Sequence, residues 1–370
     1  MRLLLCGGGT AGHVNPAISV AEELKSNYPS SEILFIGREG GDENALITKA
    51  GFNLRTLNIQ GIKRTFSISN LKTLTNAIKA IDDARKIIKE FKPDVIMGTG
   101  GYVCWPVITA GAGMKIPTAI HESNIIPGLT TKLLSKKCSI VFLNQDETKK
   151  YLRNKINTKT VGNPLRKSFK KISRSYARNK LKINENELLI LSFGGSIGSQ
   201  KMNEVIIEEI NNYSSKEKNI KHIHAVGKRY FKEINEGKTE YGGCRILPFI
   251  DDMPLYLNAA DIVICRCGAM TLSEICYAGT TAILIPSPNV TANHQLLNGK
   301  HLADTGGAIL LEEQNLTPEA LIEAIKELKN EKNGRKIRAK ILKGLSTPDS
   351  AKLIISELLL LKNNTKNNPF

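Results

Sequence analysis

Thr271, Ser273 and Glu274 follow an apolar strand-like run, Ile262–Cys265, and a tight turn at Gly268, and they open a helical stretch. Hydroxyls, backbone N–H groups and the positive end of a helix suit a phosphate or a sugar. Glu274 is placed to accept hydrogen bonds from a ribose diol, or to complement the helix dipole. Three other glycine-rich strand ends recur in the chain. In the first, Gly7-Gly8-Gly9-Thr10-Ala11-Gly12-His13, the residues Gly7, Gly9 and Gly12 satisfy G-x-G-x-x-G, with Arg38-Glu39 after the second strand. That pattern alone is weak. His13 at such a turn titrates near neutrality and suits a general base, or it caps a loop.

The remaining clusters have the same character. Gly98-Thr99-Gly100-Gly101-Tyr102 ends another strand, where glycines either face a ligand or allow close backbone packing. His121-Glu122-Ser123-Asn124, followed by Pro127-Gly128-Leu129, offers acids and amides to orient a hydroxyl, or a loop that satisfies its own backbone. Gly194-Gly195-Ser196 before a helix is a diphosphate cradle or a tight strand–helix turn. Gln295 carries a donor and an acceptor that match a sugar hydroxyl pair, or it lies on a surface helix. His222-x-His224 has the spacing of a metal pair, but the two alternate along a strand with no third ligand apparent, so the structural reading is preferred. No Asp-x-Asp suited to a metal–diphosphate complex is present, and Asp251-Asp252 precedes a helix as a cap.

These motifs are positioned by a chain of alternating strands and helices. Strands are expected at Arg2–Cys6, Glu32–Ile36, Asp94–Met97, Thr118–Ile120, Leu188–Phe193, His222–Val226, Ile246–Phe249, Ile262–Cys265, Ala282–Ile285 and Ala308–Leu311. Helices are expected over Pro16–Leu24, Leu71–Phe91 and Asp349–Leu361, with a polar, frayed tail over Asn363–Phe370. Such alternation implies right-handed βαβ units and parallel sheets covered on both faces. The cycle restarts after Gly162-Asn163-Pro164, giving two halves, residues 1–163 and 164–346, with a helix at about 347–362 returning to the first half. Ligands of open α/β sheets bind outside the carboxyl ends of the strands, where these clusters lie. Two such halves would face each other across a cleft.

Composition narrows the class. The chain has 370 residues, 41% hydrophobic and 24% charged, which fits two globular domains. No apolar run of about 18 residues is present, so no transmembrane helix is expected, and the N-terminus enters a strand without a leader-like segment. Seven scattered cysteines lack a Cys-x-x-Cys pair, which excludes an evident zinc or dithiol site and fits a reducing compartment. The net charge of +17 reads as a solvated basic surface or as attraction to anionic lipid or nucleic acid. Aromatics at 5% and the absence of a nucleic-acid motif disfavour stacking on single strands. Leu71, Leu74, Ile78 and Ile81 share one helical face beside Lys72, Lys79, Arg85 and Lys86, a core stripe or an interfacial patch.

Taken in order, Gly8 to His13, Gly100-Gly101-Tyr102, His121 to Asn124, Gly162 to Arg166, Gly194 to Ser196, Arg266 to Thr271 with Glu274, and His294-Gln295 closely resemble one family. It is the bacterial peptidoglycan glycosyltransferases that add N-acetylglucosamine to lipid-linked muramyl-pentapeptide. The resemblance implies an α/β GT-B fold, two Rossmann-like domains with parallel sheets facing across a cleft. It implies UDP-GlcNAc in the C-terminal half, with Ser196 at the diphosphate, Ile250 at the uracil, Arg166 helping to hold the nucleotide and Glu274 at the ribose. Ala269, Met270, Thr271, Leu272, Ser273 and Gln295 would line the donor, with Asn124 reaching the sugar. The N-terminal half would take lipid I at Thr10, Ala11 and Gly12, with His13 as base and Thr10 beside it. No divalent metal is implied. The expected location is peripheral, on the cytoplasmic face of the cell (inner) membrane, against an anionic surface and without nucleic acid. Ala11, Ser123, Cys267 and the pair Cys104-Trp105 depart from the family pattern, and bear on the shape of the acceptor side more than on the reaction. The alternatives are a UDP-GlcNAc 2-epimerase, an NADP-dependent oxidoreductase, and a basic membrane- or nucleic-acid-binding protein.

Overall fold

The computed structural model describes residues 1–41, 44–59, 69–195, 197–235 and 240–367. The chain forms two compact units, one of Met1–Lys167 with Thr347–Phe370 and the other of Ser168–Ser346. In the first unit the order is β1 (Arg2–Cys6), α1 (Ala11–Asn27), β2 (Glu32–Arg38), α2 (Asn44–Lys49), β3 (Asn53–Leu57), α3 (Ser69–Phe91), β4 (Val95–Gly98), α4 (Cys104–Gly113), β5 (Thr118–Glu122), α5 (Leu129–Leu134), β6 (Ile140–Leu143) and β7 (Thr158–Thr160). The second unit runs α6 (Arg174–Leu181), β8 (Leu188–Phe193), α7 (Gln200–Asn212), β9 (Ile220–Ala225), α8 (Phe231–Asn235), β10 (Glu240–Tyr241), β11 (Cys244–Leu247), α9 (Met253–Ala259), β12 (Ile262–Cys265), α10 (Ala269–Ala278), β13 (Thr281–Leu284), α11 (His294–Ala303), β14 (Ala308–Leu310), α12 (Pro318–Asn330) and α13 (Lys332–Gly344). Finally α14 (Ser350–Asn367) returns to the first.

Each unit holds a seven-stranded sheet among the described residues. The first is parallel throughout, in the order β3-β2-β1-β4-β5-β6-β7. The second runs β10-β11-β9-β8-β12-β13-β14, parallel except for the short antiparallel β10–β11 edge. Apolar residues on both faces of a strand force cover on both sides. In β1, Leu3 and Leu5 pack against α1 and α14, whereas Leu4 and Cys6 face the layer of α3 and α4. Ile354, Ile355 and Leu358 of α14 are buried in that first layer, and Lys362 pairs with Asp94 at 3.0 Å. The order of both sheets reverses beside their first strand, so the switch points lie between β1 and β4 and between β8 and β12.

Several elements depart from the sequence reading. The first helix starts at Ala11, not Pro16, so Pro16 sits inside α1 and Thr10 is its N-cap residue. This moves Ala11, Gly12 and His13 from a loop into the first helical turn. Strands β3, β6, β7 and β10 were not expected. Of β3 only Leu57 is buried, and β7 is the all-polar Thr158-Lys159-Thr160 at the sheet edge, so neither carries an apolar run. The helix of the last segment continues to Asn367, through most of the tail expected to fray.

Candidate functional site

At the β8–β12 switch point the second unit encloses a cavity of about 630 Å³. Its walls are the glycine turn after β8 (Gly194, Gly195, Gly198), the N-terminus of α7, the turn after β12 and the N-terminus of α10. Gly195 and Gly198 have φ of +92° and +83°, which non-glycine residues rarely adopt. Ser199 caps α7 by accepting from the Met202 N–H. Two helix N-termini converging on one cavity give it a positive potential without any metal.

Arg266 and Lys201 are cations on the walls of this cavity, and Arg266 is the one that ties the walls together. Its Nη1 donates to the carbonyls of Ile285 (3.4 Å) and Pro286 (3.2 Å), and its Nη2 donates to Ser199 Oγ at 2.6 Å and pairs with Glu313. One guanidinium thus joins three chain segments that line the ligand space. Gln295 Oε1 accepts from the N–H groups of Cys267 (3.2 Å) and Ser287 (2.9 Å). Its carbonyl therefore holds two turns together on the cavity wall.

Thr271 lines the cavity, while Ala269 and Met270 are buried in the first turn of α10. Leu272 packs in the core of the unit, and the Ser273 hydroxyl donates to Ala269 O within its own helix at 3.1 Å. Ile250 is likewise a core side chain, so a contact from it to a base would come from its main chain. Glu274 makes no hydrogen bond or ion pair among the described residues, and burial raises its carboxyl to about 8. Ser196 lies outside the described residues.

In the first unit the β1–β4 switch point brings two glycine turns together. A Cβ at Gly100 would stand 2.5 Å from His13 Nδ1, and one at Gly101 would collide with the Gly8 carbonyl. Thr99 Oγ donates to the His13 carbonyl at 2.6 Å. Cys104 backs this turn, its thiol donating to Gly100 O at 3.0 Å. The half-buried His13 is thus held by neighbouring backbone, with exposed Thr10 and half-buried Ala11 and Gly12 beside it.

Glu122 organises the next loop. Its Oε1 accepts from Asn124 N (3.0 Å) and Nδ2 (3.1 Å), and its Oε2 accepts from Gly128 N (2.9 Å) and Thr131 Oγ1 (2.6 Å). The acid expected to orient a hydroxyl is occupied in holding Asn124 in place. Buried His121 donates from Nε2 to Gly162 O at 2.9 Å, and burial lowers its pKa. Arg166 also belongs to this unit, where its Nη2 pairs with Glu22 of α1 at 2.8 Å.

Sequence reasoning missed Arg266 and Glu313 as site residues. The available signal was an arginine directly after a buried strand, at the position where a switch-point ligand sits. In α3, Ala80, Ala84 and Ile88 form the core stripe, Ile81 is partly buried and Ile78 is 56% exposed; the side chains of Leu71, Lys72 and Leu74 lie outside the described residues. Among the described residues no cluster of three His, Cys, Asp or Glu is placed to hold a metal ion, and no helix is long and apolar enough to cross a membrane.

Two parallel-sheet units, each with glycine turns gathered at its switch point, define the GT-B architecture of glycosyltransferases. The crystal structure of Acinetobacter baumannii MurG matches with a TM-score of 0.75 at 26% identity, covering 97% of this chain and 99% of that one. Neisseria meningitidis UDP-GlcNAc 2-epimerase bound to UDP-GlcNAc shares the fold alone, with a TM-score of 0.69 and 16% identity over 97% of this chain and 100% of that one. The glycosyltransferase family 28 N-terminal domain matches residues 3–143 and its C-terminal domain residues 189–354. The UDP-N-acetylglucosamine–N-acetylmuramyl-(pentapeptide) pyrophosphoryl-undecaprenol N-acetylglucosamine transferase of Acetivibrio thermocellus is 39% identical over 356 residues, 96% of each chain. The chain belongs to glycosyltransferase family 28 and, within it, to the family of these N-acetylglucosamine transferases.

Proposed function

We propose that the chain transfers GlcNAc from UDP-GlcNAc to the 4-hydroxyl of the MurNAc-pentapeptide of lipid I, forming lipid II. The observation that carries the donor half is the cavity at the β8–β12 switch point, with two helix N-termini and Arg266 on its walls. The diphosphate lies against the glycine turn, the ribose diol donates to Glu274, and Thr271 and Gln295 meet the sugar. The first unit takes the acceptor at Thr10, Ala11, Gly12 and His13, with Asn124 and Arg166 completing the donor contacts.

The acceptor oxygen attacks the anomeric carbon with inversion. His13 accepts the hydroxyl proton as the new C–O bond forms, and the electron pair of the broken bond leaves on the β-phosphate of UDP. Helix termini and Arg266 meet that charge where it develops, a kind of stabilisation worth about 100- to 1000-fold per well-aimed donor. The reaction is proposed to need no resident divalent metal. The acceptor's polyprenyl chain requires contact with a membrane. The net charge of +17 and exposed Ile78 beside Lys79 support peripheral binding to an anionic surface at the cytoplasmic face.

The test is transfer of labelled GlcNAc to a lipid I analogue, with and without EDTA, beside His13→Ala. Lipid-linked disaccharide that forms in EDTA and collapses in the variant supports the reading. Epimerised or merely bound UDP-GlcNAc, with no transfer, would sink the acceptor assignment. Salt-sensitive co-sedimentation with anionic vesicles tests the membrane contact, and indifference to lipid charge refutes it.

A further inference from the structure

Between the second sheet and α7 lies a polar chain with no access to solvent. Ser192, Asn203, Glu209, Ser214, His222 and His224 are each 0% exposed. The Asn203 amide sets the direction of the hydrogen bonds nearest the cavity. Asn203 Nδ2 donates to the Val226 carbonyl at 2.9 Å, so its Oδ1 faces His224 Nε2 at 3.2 Å and that nitrogen must carry the hydrogen. Burial beside His222 pushes His224 down to about 3, so the ring is neutral; with the hydrogen on Nε2, its Nδ1 accepts from Ser192 Oγ at 2.8 Å rather than donating to the Ser192 carbonyl 3.2 Å away. With its proton committed there, Ser192 Oγ accepts from His222 Nε2 at 2.7 Å. His222 Nδ1 in turn lies 3.0 Å from Glu209 Oε2, and the other Glu209 oxygen accepts from Ser214 Oγ.

The far end of this chain is the cavity wall. The Val226 carbonyl that Asn203 holds is the atom with which a Cβ at Gly198 would collide, and a Cβ at Gly227 would stand 2.7 Å from Ile197 O. The turn after β9 is therefore packed directly under the glycine turn that faces the ligand. A buried hydrogen-bonded network rigidifies what it touches, and here its Asn203 end touches the support of that turn.

We propose that Asn203 and His224 are positioning residues for the donor site: they fix the Val226 carbonyl against Gly198 and so set the shape of the turn that receives the donor's diphosphate. The inference rests on the donor reading of the cavity. It requires the Nε2–H of His224 specifically, because that hydrogen orients the Asn203 amide. The Nδ1 acceptor toward Ser192 is not sufficient.

The experiment measures UDP affinity by calorimetry and uridine affinity by ligand-detected NMR, with the melting temperature of each variant. His224→Gln places an amide nitrogen where Nε2 was and should keep UDP affinity within about threefold. His224→Asn reaches only the Nδ1 position and leaves Asn203 Oδ1 without its donor, and Asn203→Asp cannot donate to Val226; each should weaken UDP by about tenfold, as expected for one lost buried hydrogen bond, with uridine unchanged within about twofold. Equal weakening of UDP and uridine would overturn the inference, as would unchanged UDP affinity in the two disruptive variants or an equal loss in His224→Gln. Should one disruptive variant fail to fold, the other against His224→Gln decides. Failure of the unmodified protein to bind UDP is a different result: it removes the donor reading itself.

Discussion

The proposed ribose contact at Glu274 would make donor binding a proton-release reaction. Its carboxyl stands at about 8 because burial penalises the charge and no partner among the described residues offsets it. A ribose diol donating two hydrogen bonds needs the ionised form. At pH 7 roughly one molecule in eleven carries it, a cost of about 1.4 kcal/mol. Affinity for UDP-GlcNAc should therefore rise about tenfold from pH 7 to a plateau above pH 9, with about 0.9 proton released per ligand at pH 7. UDP-GlcNAc is the ligand of choice because both its phosphates are esterified and neither titrates near neutrality. Two hydrogen bonds to a charged acceptor contribute about 1.5–3 kcal/mol each. After the ionisation cost, Glu274→Gln should weaken binding by at least about 15-fold at pH 7 and abolish the proton release. Calorimetry in two buffers of different ionisation enthalpy reads both. Proton uptake, or a pH profile identical in the variant, would refute the assignment. The linkage has the opposite sign for the empty protein. A carboxyl raised from 4.5 to about 8 costs stability as pH rises through that window, so Glu274→Gln should melt higher than the unmodified chain at pH 9 and alike at pH 4.5.

Gly100→Ala pushes a methyl group to 2.5 Å from His13 Nδ1 at a φ of +109°. It should cut transfer by about 100-fold, the usual cost of a displaced catalytic group, with UDP-GlcNAc affinity unchanged; full activity would show that this turn does not set the His13 position. Arg178 is 1% exposed, pairs with Asp261 at 3.0 Å and donates to the carbonyls of Ala259 and Glu187. Arg178→Ala leaves those buried carbonyls without their donor, while Asp261 keeps Arg174 at 2.7 Å and the Leu189 N–H at 2.9 Å; a loss of about 2–4 kcal/mol should lower the melting temperature by at least ~4 °C, and a shift within about 1 °C contradicts it. Gly162 has φ +80°, its carbonyl accepts from both His121 and Ser350, and a Cβ there would collide with Thr347. Gly162→Ala should destabilise by more than ~1 kcal/mol, and adding Thr347→Gly should recover part of it; recovery by neither route nor loss at all would show the turn adapts.

The fold was legible where burial is two-sided. Leu188–Phe193 and Ile262–Cys265 are continuous apolar runs ending in glycine, and both are central strands. Of the edge strands only β14 was legible; β7, for example, is Thr158-Lys159-Thr160, which buries nothing that periodicity can detect. The start of α1 was misplaced for a related reason. Proline favours a first turn, but Pro16 sits deeper in the helix, and the capping geometry that sets the true start belongs to Thr10, whose side chain makes no cap bond. In the candidate site, the glycine turns and polar residue types were readable from sequence, and their hydrogen-bond partners were not. Glu122 read as an acid for a substrate hydroxyl; four hydrogen bonds from its own loop occupy it. Arg266 read as part of a motif; its role appears only when Ser199, Ile285 and Glu313, distant in sequence, meet around it.

The glycines show why a motif match needs the structure beside it. Gly7, Gly100 and Gly101 would each, with a Cβ, press on a neighbouring turn: on Thr99 Oγ1, on His13 and on Gly8 respectively. Gly198 and Gly227 stand in the same relation in the second unit. In both units, then, much of the glycine content at the switch point lets two backbone turns nest, and the nested pair presents the ligand-facing groups. A phosphate cradle and a tightly packed pair of turns call for the same residue, so spacing alone could not separate them. The consequence for function is that a substitution at these glycines acts through the neighbouring turn. Gly100→Ala would reach the proposed acceptor side through His13, and an alanine at Gly198 would reach the proposed donor side through Val226, although neither methyl group need touch a substrate.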